Sequence, residues 1–165
     1  MRKAIVGVMG PGEGASAESV ELARKLGRLI AQEGWVTLSG GRNVGVMQAV
    51  NAGAKEVAGS LTVGILPSAT SDVSPDVDIM IVTEMHNARN NINVLSSDVV
   101  VACGNAGMGT VSEIALALKG GKTVFLLGAD QETRALFRKL GHERVVEVDT
   151  PEEAIETIRR HALCR

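Results

Sequence analysis

DVVVACGNAGMGTVSEIALAL, residues 98–118, holds three kinds of sequence in 21 positions. Val99, Val100, Val101 and Ala102 form an apolar run of β-branched and small residues, the composition of a strand buried on both faces. Gly104, Gly107 and Gly109 then crowd a short turn. Ile114, Leu116 and Leu118 belong to an apolar helical segment. A strand that enters a glycine-rich turn and leaves as a helix is the local unit of an α/β protein. Such a turn also suits an anion, because its backbone N–H groups lie open and the helix presents its positive end.

The same alternation runs outward in both directions. Strands are predicted at Ala4–Val8, Trp35–Leu38, Leu61–Leu66, Ile79–Val82, Asp98–Ala102, Thr123–Leu127 and Val145–Val148. Between them fall helices with apolar residues at helical spacing. The first runs from the N-cap Ser16 through Val20, Ala23, Leu26 and Ile30 to Gly34. Others pass through Met47, Val50 and Ala54, span His86–Ser96 with Ile92 and Leu95 inward, continue to Leu118, span Glu132–Leu140, and start again at Pro151. Pro67–Pro75 reads as a polar loop. Strands separated by helices require crossover connections, hence a mainly parallel sheet covered on both faces. The expected fold is one doubly wound, Rossmann-like α/β domain over residues 1–165, with six to seven strands. The last helix is free to pack on the sheet or on a partner.

Composition narrows the function. The chain has 165 residues, 45% hydrophobic and 22% charged, as in an ordinary globular domain. A net charge of −2 with scattered Lys and Arg disfavours a nucleic-acid footprint, and 2% aromatics leaves no base-stacking platform. No apolar run is long enough for a membrane span, and the N-terminal apolar stretch is too short for a signal peptide. Cys103 and Cys164 have no metal-type spacing; Cys103 reads as a core residue and Cys164 as a tail thiol. A cytoplasmic protein without a metal site is expected.

In doubly wound sheets ligands bind beyond the carboxyl ends of the strands. Three glycine turns fall there. One holds Gly10, Pro11 and Gly12. The second holds Gly40, Gly41, Arg42 and Gly45. The third holds Gly107, Met108, Gly109 and Thr110. Together they can surround a phosphorylated ligand, although neither a Walker pattern nor an intact Gly-x-Gly-x-x-Gly opens the chain. Arg42 and Arg89 are candidate anion contacts, with Asn90 beside Arg89 and His86 three residues before it. Glu113 has two readings. Thr110-Val-Ser-Glu113 matches a capping box, in which Thr110 would be the N-cap, and the same pattern recurs at Thr150-Pro-Glu-Glu153. The alternative is a carboxylate that takes part in chemistry.

Four segments in fixed order go further. They are Ser39-Gly40-Gly41-x-x-x-Gly45-x-Met47, Met85-His86-x-x-Arg89, Ser97-Asp98, and Gly107-x-Gly109-Thr110-x-x-Glu113. This combination resembles the Lonely Guy-like Rossmann family, many of whose members were once labelled lysine decarboxylases. Gly7–Gly12, Ala88–Asn93 and Glu113–Lys119 look most like its molybdenum-cofactor carrier branch. In the cytokinin-activating branch, the resemblance implies hydrolysis of the N-glycosidic bond of nucleoside 5′-monophosphates. The essential arginine and glutamate of that branch fall on Arg89 and Glu113. This chain departs from the enzymes' Pro-Gly-Gly-x-Gly-Thr turn: it lacks the proline and carries one extra residue. The resemblance therefore implies a binding protein for a phosphorylated heterocycle, of the molybdenum-cofactor carrier kind, with a phosphoribohydrolase as the alternative. No cofactor is required; the bound molecule would be molybdenum cofactor or a nucleoside monophosphate. A homodimer or homotetramer is also implied, with Met47, Val50, Ile114 and Leu118 as apolar helix residues available for contact.

Overall fold

The computed structural model describes residues 2–161, so the expected tail thiol Cys164 lies outside the described residues. The chain runs β1 (Ile5–Met9), α1 (Ala17–Gln32), β2 (Val36–Ser39), α2 (Gly45–Lys55), β3 (Leu61–Leu66), β4 (Ile79–Val82), α3 (Arg89–Ser96), β5 (Val99–Cys103), α4 (Met108–Lys119), β6 (Val124–Leu127), α5 (Gln131–Gly141), β7 (Val145–Val148) and α6 (Pro151–His161). The seven strands form one parallel sheet in the order β4-β3-β2-β1-β5-β6-β7. The order reverses between β1 and β5, and this opens a crevice at their carboxyl ends.

Strand alternation divides β5 between two cores. Val99, Val101 and Cys103 pack with Val6 and Val8 of β1 under α1, α2 and α6. Val100 and Ala102 pack with Met9, Leu38 and Ile65 under α3, α4 and α5. Ala154, Ile155 and Ile158 seat α6 in the first core, so the last helix covers the sheet. Burial pushes the Cys103 thiol up to about 12, which makes it an inert packing group.

Four expectations need correction. β4 is not buried on both faces: Ile79, Met80, Ile81 and Val82 are 38–55% exposed. It is an edge strand, and the connection from β3 is a loop that brings no helix to cover it. Leu95 does not turn inward but is 49% exposed. The His86–Ser96 helix is split, with a 3-10 turn at His86–Ala88 before α3 begins at Arg89. Finally, Val50 and Ile114 are buried in this chain's own cores and Met47 is buried beside the cleft, so none of the three offers spare contact surface.

Candidate functional site

Cleft walls come from four segments at the switch point. The loop after β1 supplies Gly10, Pro11, Gly12 and Glu13, and the loop after β2 supplies Gly40 and Arg42. The start of α3 adds Arg89 and Asn90, while Gly107–Thr110 and Glu113 come from α4. The cavity measures about 300 Å³. Three turns spread from Gly10 to Thr110 meet because β1, β2 and β5 are neighbours in the sheet.

α4 has an open N-terminus. Its N-cap is Gly107, in extended conformation, and no side chain caps the helix. The first helical bond runs from the Val111 N–H to the Gly107 carbonyl at 2.9 Å. Added Cβ atoms at Gly107 or Gly109 would meet nothing within 4 Å, so both glycines face free space. Backbone N–H groups at a helix start with room before them form a site for an anion. The turn is braced from α3: the Asn90 amide donates to Ser112 Oγ at 2.9 Å, and Ser112 Oγ donates to the Gly109 carbonyl at 2.7 Å.

The capping-box expectation fails here. Because the helix starts at Met108, Thr110 lies inside its first turn and Glu113 a turn further on. Glu113 is 7% exposed and points toward α3. Asn93 Nδ2 donates to its Oε1 at 3.1 Å, and Arg89 Nη1 lies 3.9 Å from the same oxygen, an ion pair too long to be a hydrogen bond. Burial pushes the Glu113 carboxyl up to about 7, against the opposing pull of the Asn93 hydrogen bond and the Arg89 charge. Burial also lowers the Arg89 pKa. Arg89 Nε and Asn93 Oδ1 are buried without a partner among the described residues. Such atoms are costly in a fold unless something completes them.

Gly40 is what admits the Arg89 guanidinium. A Cβ there would fall 2.6 Å from Nη1, so only glycine leaves the space. Gly41 and Gly45 are not on the cleft wall; both have positive φ, +73° and +53°, and their missing side chains make room for Gly64 and for the Gly12 carbonyl. They shape the turn from behind. His86 is exposed and also stands off the wall. Sequence reasoning did not single out Met9, Glu13, Met47 and Asn87 as wall residues. Nor did it give Asn93 a role, although its spacing of four from Arg89 puts both on one helix face.

The molecule is thus a doubly wound α/β protein with a glycine-lined cleft at its switch point. Residues 3–155 match the SLOG cluster4 family, and the chain belongs to that family. Among solved structures, the molybdenum cofactor binding protein of the phototrophic bacterium Rippkaea orientalis is 57% identical, with a TM-score of 0.93 over 97% of this chain and 98% of that one. The molybdenum cofactor carrier protein of Chlamydomonas reinhardtii is 45% identical, with a TM-score of 0.91 over 96% and 98%. The likeness to the cytokinin riboside 5′-monophosphate phosphoribohydrolase of Mycobacterium tuberculosis is narrower: 36% identity over 59% of this chain and 53% of that protein. Among the described residues no helix is long and apolar enough to cross a membrane, and no cluster of metal-ligating side chains occurs.

Proposed function

We propose that this protein binds a phosphorylated heterocycle in the cleft and holds molybdenum cofactor there as cargo. The observation that carries the reading is the uncapped, unobstructed start of α4, on a chain 57% and 45% identical to two molybdenum-cofactor binders. The terminal phosphate of the pterin would sit on the N–H groups of Gly107–Thr110, where the helix dipole favours negative charge. Met9 and Met47 supply soft apolar wall for the heterocycle. Arg89 and Arg42 add positive charge. The molybdenum then needs no protein ligand set.

One observation favours a second reading. Arg89 and Glu113 stand together inside the cleft, and a carboxyl near 7 can change charge under working conditions. In a phosphoribohydrolase, ionised Glu113 would stabilise the positive charge that grows on the ribose. A single comparison separates the readings. Purified protein is analysed for retained phosphorylated pterin, then assayed for free-base release from a panel of nucleoside 5′-monophosphates, as wild type and Glu113→Gln. Retained pterin without turnover is the expected result. Robust wild-type release that falls about a hundredfold in the variant would replace the carrier by the hydrolase.

A further inference from the structure

Two side chains of the cleft lining, one from the loop after β1 and one from the loop after β2, hold each other. Arg42 Nη2 donates to Glu13 Oε1 at 2.5 Å, and Nη1 to Oε2 at 3.3 Å, a two-pronged grip on one carboxylate. The two halves of this pair are anchored differently. The backbone around Arg42 is fastened to the loop that follows β3: Arg42 bridges Val73, the Asn43 N–H donates to the Asp72 carbonyl at 2.8 Å, and the Ser74 N–H donates to the Gly41 carbonyl at 2.9 Å. Glu13 instead stands between Gly12 and Gly14, its side chain 71% exposed. Arg42 holds the Glu13 carboxyl below the usual carboxylate range, so Glu13 is charged at neutral pH. Arg42 and Arg89 line the same cleft, so the two cations address the same space.

A guanidinium fork that fits two carboxylate oxygens fits two phosphate oxygens equally well. An exposed ion pair is weak in water and readily exchanged. A monocarboxylate gains little by exchange with Glu13, since it offers Arg42 the same charge. A phosphomonoester, at about −1.5 to −2 near neutral pH, offers more.

We propose that Glu13 is an internal competitor for Arg42: its carboxylate occupies the guanidinium until the phosphoryl group of a ligand displaces it. The inference rests on the reading that the cleft takes a phosphorylated ligand. It makes the pair a selectivity device, in which Arg42 is released to anions that out-charge a carboxylate. It also gives the loop after β3 a task, which is to keep Arg42 in place while its partner leaves.

The test uses inorganic pyrophosphate as the probe, titrated calorimetrically into wild type, Glu13→Gln, Glu18→Gln and Arg42→Gln. All three substitutions are of exposed or half-exposed side chains. Glu18→Gln makes the same charge change five residues on, with no arginine bound to it among the described residues. Glu13→Gln is expected to tighten binding about 5-fold, within the range of an exposed pair removed as competitor. Glu18→Gln should change it less than about 2-fold, and Arg42→Gln should weaken it about 10-fold or more. Equal gains in Glu13→Gln and Glu18→Gln would mean plain charge repulsion and overturn the proposal. No gain in Glu13→Gln, or no pyrophosphate binding by wild type and Glu13→Gln, would overturn it as well. The cargo reading fails separately: pyrophosphate can obey this pattern in a protein that retains no pterin, and a pterin can be retained by a protein whose Glu13 is indifferent.

Discussion

Two helices carry Thr-x-x-Glu near their N-termini, and the fold uses the two copies in opposite ways. At α6 the pattern closes the helix: the Glu153 N–H donates to Thr150 Oγ1 at 3.2 Å, and Glu153 Oε2 accepts from the Asp149 N–H at 2.9 Å. At α4 the pattern has slipped inside the helix, the cap is a bare glycine, and Glu113 is turned into a cleft beside Arg89. The local reason is Pro151. Its fixed φ and missing N–H suit the first helical position, which sets Thr150 as the N-cap. α4 has no such marker, and with Gly107 as N-cap the helix begins two residues before Thr110. One N-terminus gives an N–H group to its own side chain; the other has no side-chain cap. Identical short patterns therefore carry different meanings according to where the helix begins.

The largest effect is expected at Gly109. Its missing side chain faces open space at the start of α4, so Gly109→Val should leave unfolding cooperative, within about 1 kcal/mol of wild type, the scale of helix propensity. Retention of a phosphorylated pterin should nonetheless fall about a hundredfold, from a steric cost of a few kcal/mol. Unchanged affinity in a fluorescence titration would remove the α4 turn from the site.

Glu113→Gln sharpens the contrast through pH. The folded carboxyl titrates at about 7 and its ordinary value is 4.5. Between those values the unfolded chain has lost the proton that the folded protein keeps. Stability must fall as pH rises through this window and level off above it. Glutamine cannot ionise, so the variant should lose that slope, match wild type near pH 4, and exceed it at pH 8 by about 1–3 kcal/mol, less whatever Arg89 loses as its countercharge disappears. Urea denaturation at several pH values checks this. A wild-type curve that is flat between pH 5 and 7 and rises with pH only below about 5, with the variant flat throughout, would show that Glu113 is stabilised as an anion instead.

The threonines give the smallest effects and a crossed pattern. Thr150→Ala should cost about 1 kcal/mol, the usual size of a lost N-cap, and leave ligand affinity alone. Thr110→Ala removes no cap and touches the cleft wall, so its effect should be on affinity, about 2- to 5-fold, the scale of one neutral hydrogen bond. Thermal melts and titrations of both variants measure the two columns; equal stability losses would restore the capping box at α4.

Periodicity made most of the architecture legible. Apolar runs of four to six residues between helical stripes required a parallel sheet, and all seven expected strands exist within a residue or two of their expected ends. The glycine turns were expected at one edge of the sheet, and Gly10, Gly12, Gly40, Arg42, Arg89 and Gly107–Thr110 do line one cleft there. The misses share a cause. Leu95 and the β4 strand are apolar yet exposed, because burial depends on what lies above a residue, and composition does not report that. Gly41 and Gly45 carry the glycine signal but serve backbone geometry behind the wall.

By itself, then, the order of residues determined the fold class, the strand segments and which glycine turns stand together at one edge of the sheet, since these follow from local pattern and from the rules of chain crossover. Tertiary structure alone decided what Glu113, Asn93 and Glu13 face. Those roles depend on distances between α3 and α4, and between the loops after β1 and β2. Such distances are set by packing of segments far apart in sequence, and the charge state of a carboxyl follows from that packing rather than from its neighbours in the chain.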